Sequence, residues 1–155
     1  MAESVREQIM KNMVSTLQAV TVANGYSTTF NGVERTLQYG QSAQAPMAYV
    51  LEGDDEVVSE APLGYLSRHF QVGIVLTIQQ DESEDARSAS EVMNAVIADV
   101  QKKLQEDERR GNLAVNTEEM AVSAVEIEEG LPVLRATLAY RITYRHGRLD
   151  PTLAG

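Results

Sequence analysis

The stretch that decides the fold is Val133–Arg145, VLRATLAYRITYR. Leu134, Ala136, Leu138, Tyr140, Ile142 and Tyr144 alternate with Arg135, Thr137, Ala139, Arg141, Thr143 and Arg145. Successive side chains of a strand point to opposite faces, so this period of two predicts a strand with one apolar face and one polar, arginine-bearing face. A second run of the same kind, Leu66–Gln80, puts Leu66, Arg68, Phe70, Val72, Ile74, Leu76 and Ile78 on one side. Its other side carries Ser67, His69, Gln71, Gly73, Val75, Thr77 and Gln79. A third strand is expected over Ala121–Glu128, joined to the last by a tight turn at Gly130 that makes the two antiparallel neighbours.

Two apolar faces of this length need cover, and two helical segments can supply it. Ser4-Val5-Arg6-Glu7 has the spacing of a capping box, with Ser4 as N-cap and Glu7 reaching back. Val5, Ile9, Met13, Leu17 and Val20 then recur at helical spacing, widened by Met10 and Val14, and Asn24-Gly25 ends the helix. The second helix is expected to start in the acidic run Asp81–Asp85, whose carboxylates suit the positive end of the helix dipole. Ala86, Ala89, Met93, Val96, Val100 and Leu104 form its stripe, with Val92 and Ile97 beside it and Lys102 and Lys103 in the last turn. The simplest burial solution is an α+β fold: a mainly antiparallel sheet with two helices on one face. A short N-terminal hairpin is added at Asn31-Gly32, a dipeptide suited to a type I′ turn, and a short strand opens at Pro46 and runs over Met47–Leu51.

The chain has 155 residues, enough for one domain over 1–155 with a core of its own. Within it, residues 52–64 and 106–117 are expected to be mobile charged loops, and 147–155 a C-terminal tail. There are no cysteines, which removes disulfides, thiolate metal sites and thiol catalysis. The net charge of −10 disfavours nucleic acid and anionic membranes as general partners. The start, MAESVREQIMKN, has no apolar h-region, and no run is long enough to span a membrane, so a soluble cytoplasmic product is expected.

No stretch carries a motif with a mechanism: no Gly-x-Ser-x-Gly, phosphate loop or Gly-x-Gly-x-x-Gly occurs. His69 and His146 lie in no metal-binding motif and are expected at the surface. The acidic runs Glu52–Glu56 and Asp81–Asp85 lack the spacing of a calcium loop. No catalytic residue, cofactor or metal site is therefore expected. The arginines are the candidate functional residues. Arg135, Arg141 and Arg145 share one strand face and Arg148 follows. They form either a row of cross-strand ion pairs with Glu126 and Glu128, or a basic stripe that meets Asp54, Asp55 and Glu56 on another copy of the chain. Arg68, alone among apolar neighbours, is expected near a strand end, snorkelling to solvent.

The succession of elements resembles the tail terminator (minor tail, or tail-completion) proteins of long-tailed bacteriophages. The likeness runs from SVREQIMKNMVSTLQAV and the strand at PMAYV through RHFQVGIVLTIQ, ASEVMNAVIADVQKKL and QEDERRGNL to the ending YRITYRHGRLDP. An ending of Tyr-Arg, a short basic turn and Asp-Pro is similar to endings in that group. The resemblance implies a small α+β subunit of a ring, usually a hexamer, on the head-proximal end of the tail tube. Such a ring stops tube growth and presents a surface to the head–tail connector protein. Its partners are itself, the tail tube protein and the connector, with DNA only passing through the hole. It implies no enzyme activity and a place in the virion after assembly in the host cytoplasm. The alternatives are a neck or head–tail joining protein of the virion and, from another class, a small-ligand-binding or hydrolytic α+β domain.

Overall fold

A computed structural model describes residues 2–37, 45–79, 88–127 and 133–155. In chain order these are α1 (Val5–Gln18), β1 (Gly32–Glu34), β2 (Met47–Ala61), β3 (Tyr65–Gln79), α2 (Ala89–Gln105), β4 (Asn116–Val122), β5 (Glu126–Ile127) and β6 (Val133–Gly147). The sheet order is β1-β2-β3-β6-β4, with β5 also on β6; every pairing is antiparallel except β1 with β2. The expected α+β architecture is therefore present, with both helices on one sheet face.

Alternation decides the core. The inward set of β6, Leu134 to Tyr144, and the inward set of β3, Phe70 to Ile78, are buried against Val5, Ile9, Met10, Met13 and Leu17 of α1 and Met93, Val96, Ile97, Val100 and Leu104 of α2. Ser4 caps α1 as expected, its hydroxyl accepting from the Glu7 backbone N–H at 3.2 Å. The Glu7 carboxylate does not complete the box; it accepts from both terminal nitrogens of Arg35, at 2.5 and 3.0 Å. A charged partner outweighs one backbone donor. Ser88 caps α2; the acidic run Asp81–Asp85 and the Gly130 turn lie outside the described residues.

The N-terminal hairpin is not formed. Gly32–Glu34 lies parallel to the first residues of β2, in register Gly32↔Met47. The Asn31 N–H donates to the Pro46 carbonyl at 2.8 Å, and a Cβ on Gly32 would stand 3.0 Å from Met47 Cε. The residues before it are drawn elsewhere: the Ser27 N–H donates to Asp99 of α2 at 2.9 Å, and the Tyr26 hydroxyl to Glu106 at 2.9 Å.

The expected loop at 52–64 is instead mostly strand. β2 runs through it to Ala61, and only Pro62–Gly64 turns, with Leu63 at φ 65° and Gly64 at φ 79°. Strand formation here is set by the neighbour, since β3 offers a continuous ladder from Met47↔Thr77 to Ala61↔Tyr65, rather than by the poor intrinsic propensity of Glu-Gly-Asp-Asp-Glu. Two register shifts, Glu52/Asp55 and Val57/Ser59, absorb the misfit. As a result Glu52 and Asp55 face the helices while Gly53 and Asp54 form the bulge.

The segment 106–117 is corrected in the same way. Its last residues belong to β4, which starts at Asn116, five residues before the expected strand; that strand breaks at Ser123–Val125 and resumes only over Glu126–Ile127. Arg110, expected in a charged loop, is fully buried. Its guanidinium donates to the carbonyls of Leu104, at 2.5 Å, and Asp107, so a cation closes the C-terminal end of α2. Burial pushes its pKa down, opposed by the charge of Asp107. The 147–155 tail folds back on the sheet: the Gly147 N–H donates to the Leu153 carbonyl at 2.8 Å, and the Val5 N–H to the Pro151 carbonyl at 2.9 Å.

Leu138 is fully buried at the middle of β6, whereas Val58 is half exposed. Leu138→Ala is expected to cost about 2–5 kcal/mol in urea unfolding, and Val58→Ala no more than about 0.5 kcal/mol.

Candidate functional site

The outward face of β6 displays the predicted arginines, and the register gives each its neighbours. Arg135 stands opposite Glu126 and Arg141 opposite Glu118. The ion pairs measure 3.7 Å for Arg135–Glu126 and 3.1 Å for Arg141–Glu118. Arg148 reaches Glu60 of β2 at 3.0 Å with both side chains mostly exposed. Three of the four arginines are thus paired within the chain, but only Arg135 meets a partner the cross-strand reading named; Glu128 lies outside the described residues. Arg145 is exposed opposite Ser67, and among the described residues no carboxylate pairs with it. The same face is not uniformly polar: Met47, Tyr49 and Val75 form a small buried cluster on it.

The acidic candidates separate. Asp54 is exposed in the bulge and Glu56 is exposed opposite His69, while Asp55 turns inward with its side chain only 8% exposed. Asp55 is therefore engaged inside its own chain and cannot serve as a partner surface. None of the three pairs with Arg135, Arg141, Arg145 or Arg148.

What Asp55 does touch went unforeseen in the sequence. The Tyr144 hydroxyl donates to it at 2.7 Å, and the guanidinium groups of Arg6 and Arg68 approach at 3.4 and 3.5 Å. Arg68 does not snorkel free: its Nε donates to His146 Nε2 at 2.7 Å. His146, expected at the surface, is buried, with Nδ1 2.8 Å from the Gly147 carbonyl. Those two contacts fix the neutral ring with its proton on Nδ1, because Arg68 can only donate. Burial, reinforced by the bond to Asp55, pushes the Tyr144 phenol well above its ordinary range, so it remains a donor. Arg6 lies over the Phe70 ring, 4.5 Å from its centroid, and its Nε donates to Glu52 at 3.2 Å. Glu52 is shared with Arg35 at 3.6 Å, which also holds Glu7. Ser4, Arg6, Asp55, Arg68, Tyr144, His146 and Pro151 line a cavity of about 260 Å³. Arg68 on an apolar face was the one sequence signal for it. The bulge that turns Asp55 inward has no such signal.

Exposed aliphatic side chains gather in two other places. Leu63, Leu149 and Leu153 are 95%, 98% and 53% exposed at the tip where the β2–β3 turn meets the C-terminal fold-back, joined by the Arg148 N–H donating to the Gly64 carbonyl at 2.8 Å. They border a groove of about 410 Å³. At the β4–β5 edge of the sheet Met120, Val122, Val125 and Ile127 are also exposed.

Two expectations follow. The hydrogen bonds from Arg35 hold the Glu7 carboxyl below its ordinary value of 4.5, against a smaller effect of desolvation. A depressed carboxyl stabilises the fold above its unfolded value and loses that contribution as pH falls through the folded one. The stability gap between the wild type and Glu7→Gln should therefore be full above 4.5 and close as pH drops below it, as followed by urea midpoints across pH. A double-mutant cycle on Arg141 and Glu118 should give a coupling under about 1 kcal/mol, as for other exposed pairs.

No protein-family model matches this chain, and no curated protein matches it. Among solved structures, a chain of the virion of native gene transfer agent (GTA) particle is similar over 90% of each chain, at 12% identity and a TM-score of 0.39. A likeness at that level bears on neither mechanism nor partners.

Proposed function

We propose that the chain is a structural subunit of a phage-like virion that assembles with copies of itself into a ring, caps the tail tube and presents the head-joining surface. The observation that carries the self-assembling part is the pair of separated aliphatic patches. A lone domain gains nothing from almost fully exposed Leu63 and Leu149 at one end and from Val125 and Ile127, 39% and 66% exposed, at one edge. Two unlike patches on one chain suit a head-to-tail contact, in which one surface of each copy meets a different surface of the next and the chain of contacts closes as a ring. They equally supply one surface for neighbours and one for a second protein. The tail-terminator assignment and the hexamer rest on the order of elements and the YRITYRHGRLDP ending, which resemble that group.

The arginine face contributes less to this reading than its sequence promised. Arg135, Arg141 and Arg148 are already paired, which leaves Arg145 as the one of the four with no carboxylate partner among the described residues. Electrostatics there would orient a neighbour more than bind it.

Native mass spectrometry and negative-stain microscopy of the pure protein, alone and with tail tubes, test the proposal. Rings in solution or on tube ends are expected. Leu63→Asp and Ile127→Asp should leave the unfolding midpoint nearly unchanged, since both side chains are exposed, yet at least one should abolish assembly. A chain that stays monomeric at every concentration and never sediments with tubes would overturn the reading.

A further inference from the structure

We propose that the cavity between Arg6 and Arg68 is a binding site for an oxyanion, a carboxylate or phosphate group held by the two guanidinium forks. The inference is independent of the ring reading. Four features carry it.

The first is an excess of donors. Each guanidinium has five N–H donors. Arg6 donates to Glu52 and Asp55, at 3.2 and 3.4 Å, and Arg68 to His146 and Asp55, at 2.7 and 3.5 Å. The contacts to Asp55 are longer than the roughly 2.7–2.9 Å of a full charge-assisted bond. One carboxylate is therefore divided between two cations and a phenol, and among the described residues the other donors of each fork, both of which line the cavity, meet no acceptor.

The second is local charge. In a chain of net charge −10 the cavity itself holds two cations and one anion. Glu52, which lies 3.2 Å from Arg6 but does not line the cavity, is divided between Arg6 and Arg35. His146 adds no compensating negative charge, and its Nε2 is occupied by Arg68.

The third is preorganisation. Arg6 is seated over the Phe70 ring, 4.5 Å from its centroid, and Arg68 is held by His146 and by Asp55, which Tyr144 orients in turn. Forks held this way lose little further freedom on closing around a planar or tetrahedral oxyanion. Asp55 is the positioning residue: it keeps the two cations side by side without saturating either.

The fourth is access and size. The side chains of Arg6 and Arg68 are 38% and 26% exposed, so the forks can be reached from solvent, and about 260 Å³ admits a phosphate or the carboxyl end of an acidic side chain. The Ser4 hydroxyl lines the same space and has a proton to donate, its oxygen being used by the Glu7 N–H.

Titration of the ¹⁵N-labelled protein with inorganic phosphate at low ionic strength tests the site, following the arginine Nε–H resonances. Saturable shifts of Arg6 and Arg68, with those of Arg145 unmoved, are expected. Arg68→Gln should weaken binding by about tenfold or more, the usual loss for a charge-assisted contact. Arg6→Lys keeps the charge and removes the fork, and should also weaken it if bidentate geometry matters; it serves as the readout should Arg68→Gln fail to fold. Non-saturable shifts, shifts spread over exposed arginines, or equal affinity in the folded variants would overturn the proposal. A second arm sorts the source of the anion. If phosphate dissolves an assembly that chloride at equal ionic strength leaves intact, the natural occupant is a carboxylate on a neighbouring chain. Saturable phosphate binding without that effect assigns the site to a free anion.

Discussion

Strands β3 and β6 pair without a break from Tyr65↔Gly147 to Gln79↔Val133, and the remainder of the molecule is arranged around that ladder. Because the side-chain period is two, this one register sets which face every residue of both strands occupies; a slip by one residue would carry Leu138, Tyr140 and Ile142 to the outside and Arg141 to the core. The helices have only one apolar surface to cover. β2 and β4 then inherit their own in-and-out order from the strands they join, which is why β2 must bulge where its sequence and that order disagree.

The bulge has a second effect. By turning Glu52 and Asp55 to the helix side it creates acceptors where α1 presents Arg6, where Arg35 arrives from beyond β1, and where β3 presents Arg68. A continuous series of charges thus ties the first turn of α1 to β2, β3 and the last residues of β6. Half-buried ion pairs of this kind contribute modestly to stability, because desolvation offsets attraction. Their stronger consequence is positional: the helix start, the sheet and the C-terminal fold-back are fixed relative to one another at the point where the cavity opens.

Long, strictly alternating segments were legible without coordinates. The faces of β3 and β6, the stripes of α1 and α2 and the placement of both helices on one side all follow from periods of two and of 3.6 residues. What was illegible has a common cause. β1 is a strand only because β2 lies beside it, the acidic half of β2 only because β3 does, and Arg110 is buried only because the end of α2 leaves carbonyls open. None of these is encoded in local composition; each is imposed by a neighbour remote in sequence. The arginines of β6 fall between the two cases. Their face was legible, and so was the pairing of Arg135 with Glu126. The partner of Arg141 was not, because Glu118 lies before Ala121, where the strand was expected to begin. The convergence of Arg6, Asp55, Arg68, Tyr144 and His146 draws on four elements of the chain and has no linear signature beyond the isolated Arg68.

Past Tyr49, β2 has no strand on its outer side among the described residues, and with respect to these its backbone amides and carbonyls form an open rim. Such a rim is ordinarily a template on which another chain can add and grow into an insoluble stack. Here the two bulges break the regular spacing of those groups, and Glu52, Asp54, Glu56 and Glu60 charge the same segment negatively. An approaching copy would meet like charge and a mismatched ladder. The acidity that looked like a surface loop therefore acts as a guard against unlimited growth.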